Sequence, residues 1–253
     1  MSNPVSGFGY FLKGLTLITK PGVKRFVAIP LLINFIIFAS LFWLLGGYVD
    51  EQIQKYVPEL PQWLAWIEWL IWVLFLLLAI LLMATTFTFL ANLIGAPFNS
   101  FLAAAVERHM TGRNPPGSDR QLWAEFSVMV LSELKKWLYF LLWAIPLAII
   151  SMVLFFVFPP AVPIIWFIFG SWMYSIEYAD YPMGNYGLTF SEIRKELAKK
   201  RMLSLGFGGT VTLASMIPVI NFFVMPVAVA GATAMRIEQY PLSIPGPSGL
   251  DTP

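Results

Sequence analysis

Cysteine is absent from this chain of 253 residues, which excludes disulfides, thiolate metal sites and cysteine nucleophiles and leaves the redox compartment open. Histidine occurs once, as His109; a lone imidazole without thiolates makes a poor metal site, so a solvated or interfacial role is expected of it. Charge is also scarce, at 12% of residues with a formal net charge of +2. Such a balance points to no polyanion, and nucleic acid is not an expected partner. There is no Gly-Lys-Ser phosphate loop, and Gly206, Gly208 and Gly209 follow no strand and fit no dinucleotide fingerprint. Glu177 and Asp180 lie outside the apolar runs, where solvation is expected of them rather than a catalytic dyad. No paired catalytic set remains, so the chain reads as a non-enzyme with no cofactor implied.

What the chain has in quantity is apolar side chains, 58% of residues, for a mean hydropathy of +0.73. That lies outside the usual composition of soluble domains. Charged residues gather in short blocks and leave apolar stretches of roughly two dozen residues, the length a helix needs to cross a hydrocarbon core of about 30 Å. Ten Trp and nine Tyr suit a chain with many positions at the headgroup level. The pattern predicts an all-α integral membrane protein, with residues 1–236 forming one membrane domain and a Pro- and Gly-rich, flexible tail at 237–253.

Residues 26–49 and 63–93 are the expected spanning helices. The first has Pro30 placed as a first-turn proline, and it is too long for a signal-peptide core, so it is read as retained. Two later apolar regions are shorter and turn on prolines. Residues 137–158, interrupted by Pro146, reverse at Pro159, Pro160 and Pro163 into a short arm at 164–176. Residues 202–217 and 221–235 flank Pro218. Both regions, 137–176 and 202–235, read as re-entrant, partly penetrating helical hairpins, a geometry tolerated where protein or trapped water satisfies the backbone. Amphipathic helices at the cytoplasmic interface complete the expected layout.

Sidedness follows from the basic residues. Lys13, Lys20, Lys24 and Arg25 precede the first span with no acid among them, while Asp50, Glu51, Glu59 and Glu68 outnumber Lys55 between the spans, so the amino terminus is expected to be cytoplasmic. Full spans in place of hairpins would give the same parity.

The residues from Gly14 to Arg25 combine glycines, hydroxyls and an adjacent Lys24-Arg25 pair at the mouth of a span. Backbone amides, a helix start and a guanidinium fork make this an anion-binding composition; the alternative is a basic pair that only anchors topology. Asn34, Asn92, Asn99, Glu107 and Arg108 are polar positions in or beside apolar runs, suited to lining a permeation path or to interhelical hydrogen bonding. Asn92 and Asn99 share a helical face only if the helix continues through Gly95 and Pro97. Glu107 and Arg108, as sequence neighbours, need partners elsewhere. The triplet Gly14-Leu15-Thr16 returns as Gly187-Leu188-Thr189, a faint echo of an internal repeat.

The run Gly14 to Asn34, with Ala91-Asn92-Leu93-Ile94-Gly95-Ala96-Pro97-Phe98-Asn99 and Glu177-Tyr178-Ala179-Asp180-Tyr181-Pro182, resembles the CysZ family of bacterial inner-membrane sulfate permeases. The resemblance covers about residues 7–236. It implies sulfate uptake for cysteine biosynthesis, two spanning helices with two partly penetrating helical pairs, and a homo-oligomer in the lipid bilayer. It also implies a sulfate site at Gly14, Leu15, Thr16, Leu17, Ile18, Lys24 and Arg25. The family commonly has two arginines where this chain has Lys24 and Arg25, which keeps the charge and loses one bidentate fork. With no ATP-hydrolysis motif, the path is expected to be channel-like or ion-coupled. The competing reading is a non-transport membrane scaffold or partner-docking protein without solute specificity.

Overall fold

A computed structural model describes residues 3–56, 63, 65–116 and 126–241. Every regular element among them is helical: α1 (Pro4–Leu17), α2 (Lys24–Tyr56), α3 (Ala65–Thr111), α4 (Phe126–Val157), α5 (Ala161–Gly184), α6 (Phe190–Lys199), α7 (Arg201–Ser215) and α8 (Pro218–Gln239). The chain divides into two compact units, Ala28–Phe98 and the remainder.

The smaller unit holds most of α2 and α3. Most of its described apolar side chains face outward, Phe35, Leu74, Leu77 and Leu81 among them. Trp43 and Tyr48 in the second half of α2, Trp63 before α3, and Trp66 and Trp69 in its first turns are exposed, the placement an interfacial aromatic belt requires. Helix α2 starts at Lys24, which makes Pro30 an internal proline rather than a first-turn one. The charged pair is therefore part of the helix, with the Lys24 N–H donating to Lys20 O at 3.1 Å. Helix α3 has 47 residues, about 70 Å at a rise of ~1.5 Å per residue. It runs on through Gly95 and Pro97, so the backbone condition for positions 92 and 99 to share a face is met.

In the larger unit α1 lies against α7 and α8, and α5 packs on the same two helices. The core is built from Val23, Leu102, Val106, Ile176, Met183, Ile193, Leu203, Phe207 and Met235. Glycine sets the spacing. A Cβ at Gly206 would strike the backbone of Pro4, and one at Gly208 the Ser171 carbonyl, so these helices approach backbone to backbone. Helix α6 is fixed at its start by a capping box between Thr189 and Glu192. The Thr189 N–H donates to Glu192 at 2.7 Å and, with the Thr189 hydroxyl, holds that carboxyl below its ordinary range.

Helix α4 passes through Pro146 without a break, and the turn to α5 closes with Ala161 N–H donating to Phe158 O at 3.0 Å. Its apolar part, Leu134–Val157, is long enough to cross a membrane and is mostly exposed, with Lys136 and Ala144 its buried positions. Helix α5 runs eight residues beyond the expected arm at 164–176, because the polar segment after Ile176 finds partners described below. Pro218 stands at the first position of α8 and starts the helix rather than breaking it. Ile220–Gln239 is also long enough to cross, whereas α7 has only 15 residues. The expected tail begins later than residue 237: α8 continues to Gln239 and Tyr240 is buried. The remainder of that tail, from 242 on, lies outside the described residues.

Candidate anion site and buried polar pairs

Helix α1 carries the first residues of the candidate site. Gly14 is buried where α1 crosses α8, and a Cβ there would collide with Val227 O and Gly231 N. Its role in this geometry is close packing. Leu17 is buried, Leu15 exposed, and Ile18 half-buried at the helix end. The Thr16 hydroxyl donates to Lys13 O at 2.8 Å, and Thr19 Oγ1 to Thr16 O at 2.9 Å. Lys13 itself pairs with Glu238 on α8. Tyr10 donates to the same carboxylate at 2.9 Å and accepts from Gln239 Nε2 at 2.8 Å; burial pushes its phenol above the ordinary value.

The free donors lie a few residues further on, in the turn from α1 to α2. Gly22 takes φ 82°, a conformation that suits glycine, and Val23 is fully buried beneath the turn. Lys20, Lys24 and Arg25 are all exposed, and among the described residues no carboxylate pairs with any of them. The Arg25 guanidinium lies 4.8 Å over the Phe26 ring. The backbone N–H groups of Lys20, Val23, Lys24 and Phe26 have acceptors within the turn. Those of Thr19, Gly22 and Arg25 have none among the described residues. Three cations and three unspent amides on one exposed turn form an arrangement able to replace the hydration of an oxyanion.

A second polar feature is buried. Asn99, Ala103 and Glu107 recur every fourth residue on α3 and are all inaccessible. Glu107 pairs with Arg236 of α8, with side-chain exposures of 5% and 4%, and also accepts a hydrogen bond from the Tyr186 hydroxyl. The Arg236 guanidinium covers the Tyr186 ring at 4.4 Å. Burial first, and then the bond to Glu107, raise the Tyr186 phenol above its ordinary value, so it stays a donor. Arg236 Nε is buried without a hydrogen-bond partner among the described residues. Asn185 Nδ2 donates to Ser100 O at 3.0 Å, tying α5 to α3 beside them. Glu107 thus has the distant partner its sequence context demanded. Arg108 and His109 point away and are exposed. Asn34 and Asn92 are helical in backbone, and their side chains lie outside the described residues.

Glu177 and Asp180 are not simply solvated as expected. Both bind the buried Lys136, at 3.1 and 2.8 Å, because an ammonium sunk at the foot of α4 needs counter-charge to remain ionised. The echo of Gly14 at Gly187 does not extend to the backbone, since Gly14 is helical and Gly187 has φ 78°. Sequence reasoning missed Arg236, Tyr186 and Lys136. A usable signal was present for Arg236, a charge placed directly after a run of small and apolar residues.

A chain whose described regular elements are all helical, with long, outward-facing apolar helices and charged groups buried between helices, is a membrane protein. Residues 10–226 match the family described as sulfate transporter CysZ/etoposide-induced protein 2.4, and the chain belongs to that family.

Proposed function

We propose that this protein takes up sulfate across the bacterial inner membrane for cysteine biosynthesis, through a channel-like or ion-coupled path that hydrolyses no ATP. The observation that carries this reading is the exposed turn at residues 18–25, with Lys20, Lys24 and Arg25 unpaired and three amides unspent among the described residues. Sulfate is a dianion of acceptor oxygens and is costly to strip of water unless donors and charge replace it. The sulfate site is drawn from Gly14, Leu15, Thr16, Leu17, Ile18, Lys24 and Arg25, with the backbone of Thr19 and Gly22 added. Within it Gly14 and Leu17 seat α1, and the cations and amides meet the anion.

Residues 1–236 act as one membrane domain in a homo-oligomer, with the amino terminus cytoplasmic. Hairpins α4–α5 and α7–α8 enter the bilayer as partly penetrating pairs. Asn34, Asn92, Asn99, Glu107 and Arg108 are the polar positions that line or gate the path, and the Glu107–Arg236 pair is a deeply buried charge pair among the described residues.

The test is uptake of labelled sulfate into proteoliposomes, against chloride and phosphate, for the native chain and Arg25→Ala. Hydrogen bonds to charged groups contribute about 1.5–3 kcal/mol each, so losing the guanidinium weakens sulfate binding by about 10- to 100-fold. Sulfate flux equal to that of empty liposomes rejects transport. Native flux with unchanged sulfate affinity in Arg25→Ala rejects this site alone.

A further inference from the structure

Helix α6 presents two faces. Phe190, Ile193 and Leu197 are buried in the core, and the opposite side carries Lys195 and Lys199, both exposed, with Arg194 between the two faces. Its level against α4 is fixed by contacts with Tyr139. The Phe190 ring meets Tyr139 edge-on at 5.5 Å, and the Arg194 guanidinium lies 4.9 Å from the same ring. Tyr139 stands one turn above Lys135 and two residues past Trp137, where α4 becomes continuously apolar and outward-facing. Lys135 is exposed and Trp137 is 63% exposed, the pairing of cation and indole found where a helix enters lipid.

The acids on α6 are already engaged. Glu192 accepts from Thr189, and Glu196 holds Lys199 at 2.5 Å. Lys135, Arg194, Lys195 and Arg201 pair with no carboxylate among the described residues. Four cations without a salt-bridge partner among the described residues thus lie on α6, at the foot of α4 and at the start of α7, with Arg194 the one held against Tyr139.

We infer that α6 and the foot of α4 form a docking surface for the phosphate headgroups of anionic phospholipid. Charge complementarity selects the occupant. A lipid phosphate sits at the depth where Arg194 touches Tyr139, and its acyl chains have the bare apolar flank of α4 beside them. A free anion would gain only the charge and not that flank.

The experiment measures retention of phosphatidylglycerol against phosphatidylcholine by native mass spectrometry of the full chain. Lys135→Gln with Lys195→Gln is the test variant, because neither side chain makes an interaction whose loss would unfold the protein. Lys199→Gln, which removes a cation already neutralised by Glu196, is the control. Phosphatidylglycerol is expected to be preferred by the native chain and the control, and its affinity to fall about fivefold for each cation removed in the double variant. Inorganic phosphate should not displace it. Equal retention of the two lipids, an unchanged affinity in the double variant, or displacement by phosphate would overturn the inference.

Discussion

Glu107 and Arg236 are each nearly inaccessible, and each depends on the other for its charge to be tolerable where it is. Removing one partner of a buried pair costs about 3–5 kcal/mol, while replacing both with apolar residues of similar volume is often neutral. Glu107→Ala is therefore expected to lower the melting temperature in detergent sharply, and Glu107→Leu with Arg236→Met to recover most of the loss. A double variant as unstable as the single would show that the pair is not the reason for the destabilisation. If the pair also gates the path, the recovered double variant will melt normally and yet transport sulfate abnormally. Sequence spacing required a remote partner for Glu107 but could not identify it. The partner lies across a helix contact set by backbone approach, and no local pattern encodes which of several arginines closes it.

The helices of the larger unit are spaced by glycine, and the spacing is unforgiving. At Gly208 a Cβ would meet the Ser171 carbonyl and the Ser175 hydroxyl, whereas Gly9 on α1 has nothing within 4 Å of that position. Gly208→Ala is expected to cost about 1–3 kcal/mol through overpacking. Gly9→Ala is expected to be neutral or to stabilise by up to about 1 kcal/mol, since alanine favours an exposed helix. Thermal unfolding of the two variants side by side checks this; equal melting temperatures would mean that α5 and α7 can part without penalty. Helix identity was readable in the sequence because apolar runs report length. Helix ends were less so. Helices α5 and α8 continue past their apolar residues, since Glu177, Asp180, Arg236 and Glu238 find partners in the fold and no longer need to terminate a helix in water. Proline was misread for a related reason: at Pro218 it begins a helix, and at Pro30 and Pro146 it is carried inside one.

At the level of the whole chain, the expected topology rests on hairpins that stop within the bilayer. Helix α7 is short enough to do so, while α4 and α8 have the length to cross. The natural absence of cysteine makes accessibility simple to measure. Single cysteines at Phe158 and Ile217 are expected to react with an impermeant reagent from the far side more slowly than one at Lys55; equal rates would replace the hairpins with full spans. The turn proposed as the anion site was marked in the sequence by its composition of glycine and cations. Which donors remain free was not, because the hydroxyl of Thr16 and the position of Gly14 are committed by contacts with α8 and within α1 that only the folded chain reveals. The clasp of Tyr10 and Lys13 onto Glu238 and Gln239 joins positions more than 220 residues apart in sequence. Helix α1 therefore finds part of its seat on α7 and completes it only when α8 is in place. The turn proposed to capture the anion follows directly on α1, so a chain truncated before α8 keeps its cations and loses the clasp that holds the preceding helix.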